Sequence, residues 1–538
     1  MAAYHQEDFT PEEEAVLRRF FTNTDLPVFG LINLPEVVKG ALFARYSRSA
    51  KSLRRLFLDE FVADPESGLE AIARTMDDDP LIATRKAEQL YDRMFFEYGD
   101  DSVAQLGGAH LACEQASNLL TKVLEWGRLA AYLEQSTRYI AYDARLGDRY
   151  RYFVPDEIAA SPLADSYVAH MERTFDTYSR MVQRAFDHFA ELHPKEEQDP
   201  MWVWRSTIRA KACDAVRGLL PVATLSNVGM YATGQAYEMA LVRMRANPLA
   251  EVRDYADMML GELRKIIPSF LTRVDLEERG ERWSRYLADV RTDLEDLVED
   301  MEGPADPEPS VTLTDWDPEA ETKIVAAALY AVTERPDSEL LAMARAMTPE
   351  KRAKIMAAFI GDRANRRHKP GRAMERTAYR FDVKCDIGAF RDLQRHRMMT
   401  IEWQRYSTRL GYDIPDVVAD LGLEGDWVGL MDSAGELYEE TRDRLGADVA
   451  QYVVPFAYNV RFVMEMSPRQ AFHLIELRSG AAGHPSYRSV AHRMHAQIKE
   501  VAGHTLIADA MTFVDYSEVD LERLEAERRA FARRSSKG

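Results

Sequence analysis

The chain is poor in cysteine, in long apolar runs and in net positive charge, and each shortage removes a class of protein. Its three cysteines among 538 residues, Cys113, Cys213 and Cys385, lie too far apart for a disulfide framework or a zinc cage. No apolar run approaches the roughly 20 residues of a membrane span. The acidic start MAAYHQEDFTPEEEAVLRRF lacks the apolar core of a secretion signal. With 69 Lys plus Arg against 89 Asp plus Glu, the net charge of −20 argues against wholesale binding to nucleic acid or anionic membrane. GxGxxG turns, P-loops and GxSxG elbows are absent. The expectation is a soluble cytoplasmic protein of a reducing compartment, with two to four domains at about 150 residues each and no metal site.

What is present is unevenly placed. Between Lys351 and Arg409, 16 Lys or Arg stand against 6 Asp or Glu. Such a stretch either pairs with acidic faces elsewhere or holds an anion, such as the phosphates of a nucleotide or cofactor. Trp403 and Tyr406 could stack single-stranded bases there, but the acidic remainder of the chain speaks against it. GPADPEPS, Gly303–Ser310, reads as a linker. Thr348-Pro349-Glu350 predicts a capped helix start, Ser338 a cap for ELLAMARAM, and Leu34-Pro35-Glu36 the opening of PEVVKGALFARYS. Tyr379, Phe381, Val383, Cys385 and Ile387 alternate with mostly polar residues and predict a half-buried strand. The following RDLQRHRMMTIEWQRYSTR reads as a helix on which Arg391 and Arg395, and Arg405 and Arg409, share a face. The cysteines and the pair Trp202 and Trp204 read as packing. His492 and His495 lack a third ligand and read as surface or interface residues.

Internal similarity organises the chain. EQSTRY, Glu134–Tyr139, answers QRYS, Gln404–Ser407. VRGLLPVATLSNV answers QYVVPFAYNVRF, with Pro221 and Pro455 in register, and MALVRMRANPLAEVRDYA answers LIELRSGAAGHPSYRSVA, which pairs Arg243 with Arg478. Three matches in one order imply a diverged duplication. We place the first repeat at 30–300, with extra residues at about 144–205, and a linker at 303–310. The second repeat follows at 315–515, and a charged tail at 517–538.

Arg395-His396-Arg397, then Glu402 and Arg405-Tyr406-Ser407, following a strand and FRDLQ, resembles the signature of the flavin-dependent thymidylate synthases. In the first half EYGDDSVAQL and WGRLAAYLEQSTRY, followed by VRGLLP and VR, fall on the same pattern. The resemblance implies an α+β fold, helix-rich overall, in which helices pack around a small β-sheet, here in two diverged copies. It implies methylation of dUMP at C5 by methylenetetrahydrofolate and FAD, with NADPH as reductant and no attacking cysteine. Flavin contacts are implied at Arg395, His396, Arg397, Glu375 and Arg469. Nucleotide contacts are implied at Glu134, Ser136, Arg138, Arg217, Arg395 and Arg478, with Ser136 and Arg478 in the catalytic role.

The two copies depart from the pattern in complementary ways. In the second, the loop before Arg405 is two residues short and lacks its serine, Gln451 stands where an arginine is usual, and Asp392 replaces a glutamine. In the first, Trp126-Gly127-Arg128 replaces the RHR motif and Gly234 replaces a flavin arginine. Because family sites form between subunits, one composite site per repeat pair is implied, together with a homodimer whose four repeats imitate the family tetramer. A flavin-dependent paralogue acting on another pyrimidine nucleotide, or a non-catalytic nucleotide- or flavin-binding protein, are the alternatives.

Overall fold

The computed structural model describes residues 7–25, 29, 31–36, 38, 39, 42, 51–62, 105–197, 199–298 and 310–517. Linker residues 303–309, tail residues 518–538, most of EYGDDSVAQL and much of PEVVKGALFARYS lie outside them. The strands are β1 (Gly108–Ser117), β2 (Ala130–Glu134), β3 (Leu225–Thr233), β4 (Val311–Trp316), β5 (Tyr379–Asp386), β6 (Thr400–Trp403) and β7 (Asn459–Met466). The helices that matter below are α1 (Pro11–Phe20), α2 (Asn118–Leu124), α3 (Ala164–Leu192), α4 (Met201–Val216), α5 (Gly234–Arg245), α6 (Ala250–Leu263), α7 (Arg282–Val298), α8 (Pro349–Ile360), α9 (Ile387–Gln394), α10 (Glu424–Leu445), α11 (Pro468–Arg478) and α12 (Pro485–Glu500). The fold is α+β and helix-rich. No helix among the described residues is long and apolar enough to cross a membrane.

The chain divides into two compact units. One comprises Met1–Glu114, Leu129–Glu134 and Asn227–Glu302; the other comprises Gln115–Arg128, Gln135–Ser226 and Gly303–Gly538. The first unit has an apolar cluster around α1, in which Phe57 packs against Phe20 and Phe21 at 5.3 and 5.2 Å. In the second, Phe390 of α9 lies 4.8 Å from Phe462 of β7 and 6.2 Å from Tyr406.

Strand order carries the duplication. One sheet runs β1-β3-β2 and the other β4-β5-β7-β6, so without β4 the second repeats the order of the first. The β2/β3, β5/β7 and β6/β7 pairs are all antiparallel. Within the second unit the copies meet about a local twofold: Pro221 and Pro455 form an isolated antiparallel bridge. Val222 N donates to Val454 O at 2.9 Å, and the equivalent Phe456 N donates to Leu220 O at 2.9 Å.

The expected strand is β5, with Tyr379, Phe381, Val383 and Cys385 buried in alternation. Ile387 does not continue it. The chain turns at Asp386, whose carboxylate accepts from Ala389 N at 2.8 Å and caps α9. The helix expected through RHR is also corrected. α9 stops at Gln394, Arg395–Arg397 make a turn, and Thr400–Trp403 pair with β7 as β6. The ladder offered by β7 overrides the helical spacing of the charges, and Arg405 and Arg409 bind Asp448 and Glu439 instead of sharing a helix face. Thr348 caps α8 as expected. Ser338 does not cap, because Pro336 takes the N-cap position and the helix starts at Asp337. Trp204 packs, donating to His193 O at 2.8 Å, whereas Trp202 is exposed.

A stability prediction follows from the twofold. A Cβ on Gly218 would lie 2.9 Å from the buried Trp427 ring and 3.1 Å from Ala457 Cβ, where Ala457 N bonds to Gly218 O. Gly218→Ala should cost about 1–3 kcal/mol in denaturant unfolding, the range for overpacking. Adding Trp427→Phe should restore part of it. An unchanged midpoint would show that the ring moves aside freely.

Candidate functional site

Every implied site residue except Glu134 lies in the second unit. Glu134 ends β2 in the first unit, buried and in register with Val228. The implied nucleotide-binding arginines gather around two carboxylates.

The first is Asp392 on α9, only 7% exposed. Arg217 Nη1 lies 3.5 Å from it, Arg395 Nη1 3.5 Å and Arg478 Nη1 3.6 Å. Arg478 also donates to the Asp392 carbonyl. Burial works to raise the Asp392 pKa, but Arg217 foremost, then Arg395, Arg478 and Arg138, hold it down at about 2. Arg217 comes from the first copy, Arg395 and Arg478 from the second. The second carboxylate is Asp214, one turn before Arg217 on α4. Arg138 grips it bidentately, Nε to Oδ1 at 2.8 Å and Nη2 to Oδ2 at 2.6 Å.

Tyr487 ties the two groups together. Its ring lies 5.8 Å from the Arg138 guanidinium and 5.3 Å from that of Arg478, and its hydroxyl accepts from Arg138 Nη1 at 3.0 Å. Ser136 Oγ accepts from Arg138 N at 3.3 Å, and Arg391 on α9 donates to Thr137 Oγ1 at 3.0 Å, which fixes the loop. Arg138, Asp214 and Arg217 also line a cavity of about 630 Å3, with His484, Ser486 and Asp386 on the same wall. Arg217 is 3% exposed, and its Nη2 has no hydrogen-bond partner among the described residues. A buried guanidinium with an idle N–H is a donor awaiting an anion.

The implied flavin residues fall into two groups. His396 is buried and does not present its Nε2, which accepts from Arg478 Nε at 2.9 Å. The proton therefore sits on Nδ1, 3.4 Å from the side-chain amide of Gln470. Burial, then Arg478 and His473, push the His396 pKa well below its ordinary value. The neutral ring thus positions Arg478. Arg397 is exposed. Arg469 reaches Glu375 at 3.3 Å and Pro370 O at 2.9 Å, so these two implied residues do meet. Beside them Lys369 has its pKa lowered by burial, then by Arg469 and Arg366. This crowd of cations suits the diphosphate of a dinucleotide cofactor.

The twin locus is filled from within. Trp126 Nε1 donates to Ile401 O at 3.2 Å and Arg128 Nη2 to Thr400 Oγ1 at 3.0 Å, so WGR braces β6. Arg405 is bound to Asp448, and Gln451 Oε1 accepts from Tyr406 N at 3.0 Å. In the first unit, a Cβ on Gly234 would lie 2.6 Å from Phe270 Cβ, so no arginine fits there.

Sequence reasoning missed Asp214, Tyr487 and His484. Asp214 could have been found three residues before Arg217, at the spacing that joins side chains on a helix; Tyr487 and His484 carry no such signal. His492 Nε2 donates to Asp515 O at 2.7 Å and His495 Nε2 to Ala508 O at 3.0 Å, with His495 Nδ1 2.7 Å from the Tyr516 hydroxyl. No group of three metal-ligating side chains occurs among the described residues.

A family model described as thymidylate synthase complementing protein matches residues 57–269 and 312–503. The chain is similar to a UPF0159 protein of Chlamydia muridarum, 38% identical over 97% of this chain and 98% of that one. It is also similar to UPF0159 protein Ta1429 of Thermoplasma acidophilum, 30% identical over 91% and 97%. A flavin-dependent thymidylate synthase of Clostridium tetani is 28% identical over 33% of this chain and 66% of its own length.

Imidazoles shielded from water, one buried and two half-buried, give the fold an acid-side weakness. His396, His473 and His484 all have lowered pKa values, with burial the first cause in each; that of His473 falls from 6.5 to about 4. A depressed folded pKa stabilises above the unfolded value and loses that contribution as pH falls toward the folded one. Stability should therefore decline as pH drops from 6.5 to about 4. His473→Gln should flatten that decline by up to about 1.4 kcal/mol per pH unit in denaturant melts. An unaltered slope would place His473 in water.

Proposed function

The chain belongs to the thymidylate synthase complementing protein family, and on that premise we propose that it methylates dUMP at C5. Methylenetetrahydrofolate is the carbon donor, FAD the cofactor and NADPH its reductant. We place the repeats at 30–300 and 315–515, joined by 303–310, with two chains assembling into a four-repeat homodimer. One observation carries the reading. Arg138 and Arg217 of the first copy converge with Arg395 and Arg478 of the second, beside a cavity of about 630 Å3. Guanidinium groups gathered around Asp214 and Asp392 can hold the phosphate of a nucleotide monophosphate by charge-assisted hydrogen bonds.

The chain's own residues bind and orient. Arg138 and Arg217 take the phosphate, with the idle Nη2 of Arg217 as a ready donor. Neutral His396 and the Asp392 carbonyl hold Arg478 at the substrate, and Ser136 offers a hydroxyl from the same loop as Arg138. Arg397, Arg469, Glu375, Arg366 and Lys369 would hold FAD, which when bound supplies the reducing equivalents. Covalent attack by a thiolate has no support: the three cysteines are buried, and burial raises Cys113 and Cys213 to about 11. Asp392 is the observation that favours the second reading, another pyrimidine nucleotide. It offers only acceptors where a glutamine would also donate.

Two experiments test this. Arg138→Lys should weaken dUMP binding about 10–100-fold, the loss expected of a charge-assisted bidentate contact, while leaving the flavin spectrum intact. Unchanged dUMP affinity would misplace the nucleotide. Arg397→Ala should sharply reduce FAD content of the purified protein, and Arg128→Ala, which braces β6, should barely alter it. Equal losses would defeat the composite site, and a colourless protein that cannot be reconstituted with FAD would favour a non-catalytic binding protein.

A further inference from the structure

Helix α7 follows the first family-matched segment and belongs to neither. One of its faces is turned to its own unit: Ser284 Oγ donates to Val242 O at 2.9 Å. Leu287, Ala288, Arg291 and Glu295 on that side are partly covered, the last two paired at 3.5 Å. About a third of a turn away, Trp283, Tyr286, Val290, Leu294 and Leu297 form a second stripe. They are 40%, 60%, 39%, 57% and 71% exposed. Their spacings of three, four, four and three residues average the 3.5 of a helix-pairing seam. An apolar stripe this continuous on an otherwise acidic protein marks a contact surface.

Charge along the helix says what covers it. Arg282 and Arg285 occupy the first turns, Asp289, Asp293 and Asp296 the later ones, all exposed on one flank of the stripe. A parallel copy would set like charges together. An antiparallel copy sets the basic end of each helix beside the acidic end of the other. Among the described residues, Arg282 and Arg285 form exposed pairs with Glu278 at 3.1 Å and Glu277 at 3.9 Å, which are weak enough to exchange.

We infer that α7 is the self-association surface of this protein. Two copies pack antiparallel with Val290 facing its twin, Trp283 against the partner subunit's Leu297, and Tyr286 against the partner subunit's Leu294. Arg282 and Arg285 then lie beside the partner subunit's Asp296 and the partner subunit's Asp293. This rests on the two-chain part of the proposed function and names the surface that joins the chains; it is independent of the catalytic assignment.

Light scattering on the full chain should give twice the 61.4 kDa of one chain. Leu294→Glu with Leu297→Glu, both at exposed positions, should give the mass of one chain with unchanged helical content by circular dichroism. Val290→Cys should oxidise to a covalent dimer under copper phenanthroline, and Trp283→Cys should not, since Cys113, Cys213 and Cys385 are buried and silent. Arg282→Glu with Arg285→Glu should raise the dimer dissociation constant about tenfold, and adding Asp293→Arg and Asp296→Arg should restore it. A dimer that survives the double glutamate variant, or cross-linking at Trp283→Cys as readily as at Val290→Cys, overturns the α7 interface and leaves the two-chain reading standing. A wild-type mass of one chain overturns both.

Discussion

A carboxylate cannot be buried alone, and Asp392 is buried. Its charge is tolerable only because guanidinium groups from the α4 end, from the turn after α9 and from the end of α11 surround it. Those three elements come from both copies of the duplication, so the requirement of one side chain fixes their arrangement in the second unit. The dependence is mutual. Removing Asp392 would leave three cations facing one another around the same point, and removing one of them would strand part of the anion. Tyr487, lying against Arg138 and Arg478, extends the constraint from Asp392 to Asp214.

Much of the framework was legible because local chemistry and global packing agreed. The alternation over Tyr379–Asp386 reports a strand with one buried face, and the Thr348-Pro349 pair reports a helix start that tertiary contacts have no reason to oppose. The repeat was legible from the register of Pro221 and Pro455, which the structure places opposite one another. RHR was misread because its spacing imitates a helix face, and only the β7 ladder reveals that Thr400–Trp403 belongs to a sheet. Of the site, the arginines could be named from the family pattern. Their acidic partners could not, since pairing between Arg138 and Asp214, 76 residues apart, is a property of the fold and not of a motif.

The same duplication explains the asymmetry of the two loci. The positions that depart from the family pattern are not idle: Trp126 and Arg128 brace a short strand, and Gln451 satisfies the Tyr406 amide. Hydrogen bonds of this kind each contribute about 0.5–1.5 kcal/mol, enough to favour a substitution once binding no longer opposes it.

Gly234 shows how far that process has gone. With Phe270 packed 2.6 Å from where a Cβ would stand, the glycine is now required by its neighbour. A return to any side chain would first need a smaller residue at Phe270, and that change alone would open a void in the first unit. The intermediate in either order is less stable than both ends. Divergence of the two copies has therefore acted as a ratchet at this position, where packing alone now holds them apart.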